Sequence, residues 1–148
     1  MDVEIKRRDV LTGMGAMLVA SGPGLAYAAD HAAHASPLSP AVQAIVDAAA
    51  ACEQAGEACI AHCMASFRAG DTSLAECASS VQQMLPACTA VGRLAHYDSP
   101  HLKAFVAACQ QICIDCEAQC RKHEQHPPCK ACAEACAKFI TAAKALAA

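Results

Sequence analysis

The chain has 148 residues, enough for one domain of ordinary size, and a formal net charge of −3. Only 3% of the residues are aromatic and no basic patch is present, so the composition argues against nucleic acid as a partner. Twelve residues are cysteine, a content typical of disulfide scaffolds in small exported domains. Such scaffolds are rich in loops, whereas this chain is alanine-rich and nearly free of β-branched runs, so we predict an all-α fold.

Residues 1–28 are predicted to be a signal peptide of the twin-arginine type. Arg7 and Arg8 precede a short and mildly apolar run at residues 10–20, and Ala26 and Ala28 supply small residues for cleavage. The run is too short for a transmembrane helix, so no membrane span is expected in the mature chain. We therefore expect a periplasmic protein that is exported already folded, with residues 29–39 as a flexible linker.

Residues 40–148 are predicted to form a cysteine-rich four-helix bundle. The first helix is expected to run to about residue 69, with Ser39 as its N-cap and Pro40 at its first position, where no N–H donor is needed. Gly70 can adopt the left-handed conformation that ends many helices. The inward stripe of this helix holds Ile45, Cys52, Gly56, Cys59 and Cys63.

The second helix is predicted to open at residues 71–73. Ser73 and Glu76 are spaced as a capping box, in which each side chain accepts a hydrogen bond from the other residue's backbone. The inward stripe of this helix holds Cys77, Val81, Met84, Cys88 and Val91.

The third and fourth helices contain the densest cysteine pattern, at residues 109–136. The third is expected from Ser99 and Pro100 to about residue 124, and the fourth from residue 127 or 128 to about residue 147. At about 100° per residue, the cysteines of each helix fall in a stripe about 60° wide. Leucine or isoleucine at these spacings would form the buried seam of a helix pair, so thiols are predicted to line the core.

Short connections favour an antiparallel up-down-up-down bundle with four layers of inward residues. We call the end with the first and third connections the loop end. From that end the layers are Cys63, Cys77, Cys120 and Cys129; Cys59, Val81, Cys116 and Cys132; Gly56, Met84, Cys113 and Cys136; and Cys52, Cys88, Cys109 and Ile140. A hydrocarbon plug is expected beyond them, formed by Ile45, Val91, Leu94, Leu102, Phe105 and Leu146.

Disulfides and zinc explain this pattern less well than a monovalent metal. Cysteines four apart on a helix hold their Cβ atoms about 5–6 Å apart, beyond the roughly 3.5–4.5 Å of a disulfide, although bridges between helices stay open. One set matches a zinc-site spacing, namely Cys113, Cys116, Cys129 and Cys132. However, both pairs lie inside helices, and three Zn²⁺ among twelve thiolates would leave a buried charge of about −6.

Cu(I) removes the charge problem because one Cu⁺ per thiolate is neutral, and soft thiolate and thioether ligands select this ion. Cysteines one helical turn apart can hold Cu(I) in two-coordinate geometry. Such pairs are Cys59 with Cys63, Cys109 with Cys113, Cys116 with Cys120, and Cys132 with Cys136. Silver, also a soft monovalent ion, satisfies the same argument. The alternative functions are therefore sequestration of zinc or another soft metal such as silver or cadmium, or a disulfide-stabilised helical interaction module.

Specific motifs resemble the exported branch of the copper storage proteins. They are CxxxCxxCxxxCxKHxxHxxCxxCAEAC from residue 109, the HC and GDTSLAECA segments within residues 62–78, and the twin-arginine leader. The resemblance implies storage of multiple Cu(I) ions per chain, assembly into a homo-tetramer, and supply of copper to copper-dependent enzymes such as a membrane methane oxidase. Family members often carry a further cysteine one turn past CAEAC, where this chain has Ile140.

The other candidate ligands are weaker. Met84 faces inward, either as a thioether ligand or as a filler of the core. His123 is expected on the stripe of the third helix beyond Cys120, close to His62 and His126, where histidines can pass copper inward or simply lie at the surface. Because no nucleophile–base pair is evident, we do not expect an enzyme.

Overall fold

The computed structural model describes residues 37–147, which form four α-helices and contain no strand. Helix α1 spans Pro40–Arg68, α2 Ala75–His96, α3 Leu102–Arg121 and α4 Pro127–Ala147. The predicted signal peptide and most of the predicted linker lie outside the described residues. Within the described part, no helix is long and apolar enough to cross a bilayer.

Each helix packs against its neighbours in the chain, and α1 also packs against α4. This cyclic order, together with short connections at residues 69–74, 97–101 and 122–126, is consistent with an up-down-up-down arrangement. The predicted all-α four-helix fold with a cysteine-lined core is confirmed.

Helix α1 begins and ends as its sequence predicts. The backbone N–H of Val42 donates to the hydroxyl of Ser39 at 3.3 Å, and Pro40 occupies the first helical position. Gly70 has a φ of +83°, the left-handed conformation that reverses the chain at low cost only for glycine.

The predicted capping box of α2 is wrong. Its helix begins after Leu74, and no side chain caps it. The carboxylate of Asp71 instead accepts a hydrogen bond from the backbone N–H of Ser73 at 2.9 Å, which holds Ser73 in a turn. Leu74 is fully buried, so packing rather than capping places the first turn of α2.

Helix α3 is shorter than predicted at both ends. The hydroxyl of Ser99 accepts from the backbone N–H of His101 at 3.3 Å, and residues 100–101 form a turn before Leu102 starts the helix. The helix ends at Arg121, and residues 122–126 form the turn that leads to Pro127 at the start of α4.

The hydrocarbon plug differs from its prediction at one aromatic residue. Phe105 is 47% exposed, whereas Phe139 is fully buried and Val106 is 3% exposed. The buried positions of α3 follow alternating steps of four and three residues from Leu102, which selects Val106 and passes over Phe105. The same steps on α4 lead from Cys136 to Phe139.

Candidate metal centre

All twelve cysteines lie in the core as free thiols, and none is more than 1% exposed. The four helices each contribute to this array because their cysteines follow the inward stripe of steps of three and four. A thiol is a small hydrophobic group, so the array can pack as a core without metal.

At the loop end, sulfur atoms from all four helices meet. The Sγ atoms of Cys77 and Cys120 are 3.4 Å apart, which joins α2 to α3. The Sγ atom of Cys59 on α1 lies 3.7 Å from that of Cys77 and 3.8 Å from that of Cys129 on α4. The first two predicted layers therefore merge into one continuous network of thiols.

Sulfur contacts continue toward the plug. The Sγ atom of Cys116 lies 4.0 Å from the Sγ atoms of both Cys120 and Cys132. Cys88 contacts Cys109 at 3.7 Å between Sγ atoms. These separations are well beyond the roughly 2.05 Å of a disulfide bond, so the thiols pack without being joined.

Four groups of three thiols have all of their Sγ atoms within 4.8 Å of one another. They are Cys52, Cys88 and Cys113; Cys59, Cys63 and Cys77; Cys59, Cys120 and Cys132; and Cys116, Cys132 and Cys136. Two thiolates on opposite sides of an ion, each at a metal–sulfur distance of about 2.3 Å, would be about 4.6 Å apart. The array is therefore spaced so that small ions can be held between sulfurs with little rearrangement.

The spacing that matched a zinc site does not assemble into one site. Cys113 is grouped with Cys52 and Cys88, whereas Cys116 and Cys132 are grouped with Cys136. Cys129 contacts Cys59 instead. The two cysteines of each CxxC pair thus lie at different heights along the bundle and are not members of one group, as expected for cysteines on helix stripes.

Within residues 37–147, no cationic side chain lies in the buried core to balance thiolate charge. Among the described residues, Ser80 is the only polar side chain in the buried core, and its hydroxyl donates to the backbone oxygen of Cys77 at 2.8 Å. Buried charge without a partner is costly. The thiolates must therefore be neutralised by protons or by bound cations.

The thiols of the array differ in pKa, and therefore in how readily each one loses its proton. Burial, reinforced by the neighbouring Cys59 and Cys77, raises the pKa of Cys63 to about 12. Burial likewise raises the pKa of Cys129. In contrast, S–H groups of Cys113 and Cys88 stabilise the Cys109 thiolate and lower its pKa to about 5. Metal binding must displace the protons of thiols whose pKa is raised, such as Cys63 and Cys129, which links metal affinity to pH.

Met84 lies inside the array, as the sequence predicts. It is fully buried, and the thiol of Cys88 donates to its Sδ atom at 3.5 Å. Ile140 is 8% exposed and contributes hydrocarbon to the buried core.

His123 lies in the turn after α3 and is half-buried, and its backbone N–H donates to the Cys120 oxygen at 3.0 Å. Because α3 ends at Arg121, this histidine does not continue the helical stripe. Within residues 37–147, no histidine belongs to the four groups of converging ligand atoms.

The rings of His62 and His126 are in contact, whereas the sequence predicts only that both residues lie near the loop end. Their ring centroids are 4.7 Å apart, with planes tilted by 43°. The Nε2 atom of His62 is buried and has no hydrogen-bond partner among the described residues. Unpaired buried polar atoms are uncommon in proteins. In the sequence, the feature that points to His62 is its position next to Cys63.

A helical bundle with a core of converging free thiols defines a cysteine-rich protein that is built to bind metal ions. The sequence model of the family described as "Copper storage protein" matches residues 39–148. The chain therefore belongs to the copper storage protein family, as its motifs predict.

The chain is also similar to a curated protein that is described as cysteine-rich. The cysteine-rich protein YhjQ of Bacillus subtilis (strain 168) is 35% identical over 95 residues, which cover 56% of this chain and 87% of the relative. The family is one of storage proteins, and its metal is copper.

Proposed function

We propose that this protein stores many Cu(I) ions per chain on its twelve core cysteines. This proposal rests on a core of converging thiols in which the described part of the chain places no cationic side chain. Twelve thiolates and about twelve Cu⁺ form a neutral core, whereas divalent ions at four thiolates each leave excess negative charge. Soft sulfur ligands also favour the monovalent ion of copper over harder cations.

Anaerobic titration of the reduced protein against a competing Cu(I) chelator tests this function. We expect saturation at roughly 10–14 Cu⁺ per chain, as the number of thiols and their softness require. Saturation at one or two ions would instead indicate a copper carrier. Retention of about three Zn²⁺ against excess Cu(I) would favour zinc sequestration, the alternative reading.

Copper is proposed to enter at the loop end, where His62, His126 and His123 lie close to the outermost thiols. The buried Nε2 atom of His62 is an unpaired ligand atom beside Cys63 in the chain. A neutral imidazole can bind Cu⁺ transiently without adding charge, whereas the thiols behind it hold the ion for storage.

The proposed setting is the periplasm, where tetramers of this bundle would buffer copper and supply it to exported copper enzymes, for example a membrane methane oxidase. Folding before export would keep the reduced thiols away from oxidants and from wrong disulfides. Changing Arg7 and Arg8 together to Lys is expected to leave folded, copper-competent protein in the cytoplasm. Unchanged export of this variant, measured by cell fractionation, would contradict the twin-arginine route.

The proposed tetramer and the supply of copper are tested separately. Light scattering of the copper-loaded protein should give a mass of about four chains. Mixing it with a copper-free recipient enzyme should restore that enzyme's activity, and a chelator of Cu(I) should prevent the restoration.

A further inference from the structure

Met84 and Gly56 form a complementary pair in the part of the thiol array that is nearest the plug. Met84 replaces a thiol on the inward stripe of α2, and its Sδ atom accepts a hydrogen bond from the Cys88 thiol at 3.5 Å. Cys88 belongs to the group that also contains Cys52 and Cys113. The thioether is therefore in direct contact with a group of converging ligand atoms.

The absence of a side chain at Gly56 makes room for Met84. A Cβ atom at Gly56 would lie 2.7 Å from the Cε atom of Met84 and 2.8 Å from the Cδ2 atom of Leu85. Contacts this short would force the end of the methionine to move. Gly56 costs helix α1 about 1 kcal/mol relative to alanine, so a close approach rather than helix formation explains a glycine here.

We infer that Met84 is a copper ligand and that Gly56 is the positioning residue that holds its thioether against Cys88. This inference rests on the proposed storage of Cu(I). Together, Met84 Sδ and Cys88 Sγ form a mixed site with one neutral ligand and one thiolate. A Cu⁺ at this site is electrically neutral without sharing its thiolate with a second ion, unlike a Cu⁺ held by two thiolates.

The mixed site also explains how the array ends. Beyond Cys88 and Cys109 the core becomes hydrocarbon, with Val91 and Ile45 fully buried. Ions at this boundary have fewer thiolates to share, and a neutral thioether completes a coordination pair there without adding charge. The chemistry expected at Met84 is therefore binding of one soft monovalent cation.

The test uses the full chain labelled with selenomethionine, since selenium absorption spectroscopy detects a copper atom bonded to selenium. The chain has five methionines, and the Met64→Leu variant provides a matched control on α1. We expect a selenium–copper signal in the loaded protein and in Met64→Leu, and no such signal in Met84→Leu. Met84→Leu conserves volume, so its bundle should fold while its capacity falls by about one Cu⁺.

Gly56→Ala separates positioning from packing because all five methionines remain. We expect it to retain the helical circular dichroism spectrum and to lose most of the selenium–copper signal. If it fails to fold, Met84→Leu still decides the assignment. A loaded protein without a selenium–copper signal, or an unchanged signal and copper count in Met84→Leu, would overturn the inference while leaving storage by cysteines intact. If the unmodified protein bound no Cu(I), the proposed function would fail, and this inference with it.

Discussion

The Sγ atoms of Cys77 and Cys120 lie 3.4 Å apart although 43 positions separate these residues in the chain. The Sγ atom of Cys77 also lies 3.7 Å from that of Cys59, so thiols from three helices are in contact at the loop end. An ion bound between these atoms would tie the helices together. Copper loading should therefore stabilise the fold, because the assembled thiols bind Cu⁺ more tightly than the separated thiols of the unfolded chain.

Replacing Cys77 and Cys120 together with alanine should lower Cu(I) capacity by about two ions, because two thiolates are lost from the array. The increase in unfolding temperature on copper loading should also be smaller. Metal analysis and thermal unfolding measure both effects. Gln82→Ala, on the exposed face of α2, is the control and should change neither. A double variant with unchanged capacity would show that these thiols do not bind copper.

The loop-end histidines should affect the rate of copper uptake rather than its extent. In the variant with His62→Ala and His126→Ala, we expect loading from a Cu(I) donor to slow several-fold, with the final count unchanged. Stopped-flow absorbance of the forming copper–thiolate bonds gives the rate. His96 and His101 flank the connection at the other end and are exposed, so their alanine variants are the matched control. Equal slowing in both pairs would argue against entry at the loop end.

Phe139 should be the main apolar contributor to the stability of the metal-free bundle. Because it is fully buried in the plug, Phe139→Ala should lower the free energy of unfolding by about 3–5 kcal/mol. Phe105→Ala removes the same side chain from a position that is 47% exposed and should cost less than about 1 kcal/mol. Urea unfolding of the reduced proteins, followed by circular dichroism, measures both. Similar losses in the free energy of unfolding for the two variants would mean that burial of Phe139 in the plug does not stabilise the bundle.

The metal-free bundle should lose stability at alkaline pH. The pKa of the Cys63 thiol is raised from 9.0 to about 12, chiefly by burial, so the unfolded chain releases this proton at a lower pH than the folded chain. Where the folded state binds more protons, the free energy of unfolding falls as pH rises, here from about pH 9 to about pH 12. The pKa of Cys109 is lowered to about 5, so this thiol changes the free energy of unfolding only below this pH range.

Thermal unfolding of the reduced, metal-free protein under argon at about pH 8, 9, 10 and 11 tests this dependence. The copper-loaded protein is the control, because its thiolates carry no protons to lose, and its decline should be shallower. A metal-free protein with constant stability over this range would contradict the raised pKa values.

Local sequence determined the helices and the identity of the core. The inward stripes follow from steps of three and four residues, and every cysteine found its predicted buried place. Ser39, Pro40 and Gly70 set the ends of α1 because capping and left-handed conformation depend on neighbouring residues alone. The family also followed from motifs within single helices and their connections.

Only the tertiary structure decided which thiols meet. The Cys59–Cys77 and Cys59–Cys129 contacts join two predicted layers, and they depend on how each helix is rotated and shifted against its neighbours, which spacing within one helix does not fix. The close fit between Gly56 and Met84 likewise depends on the packing of α1 against α2, because the Met84 side chain fills the space that a side chain at Gly56 would need.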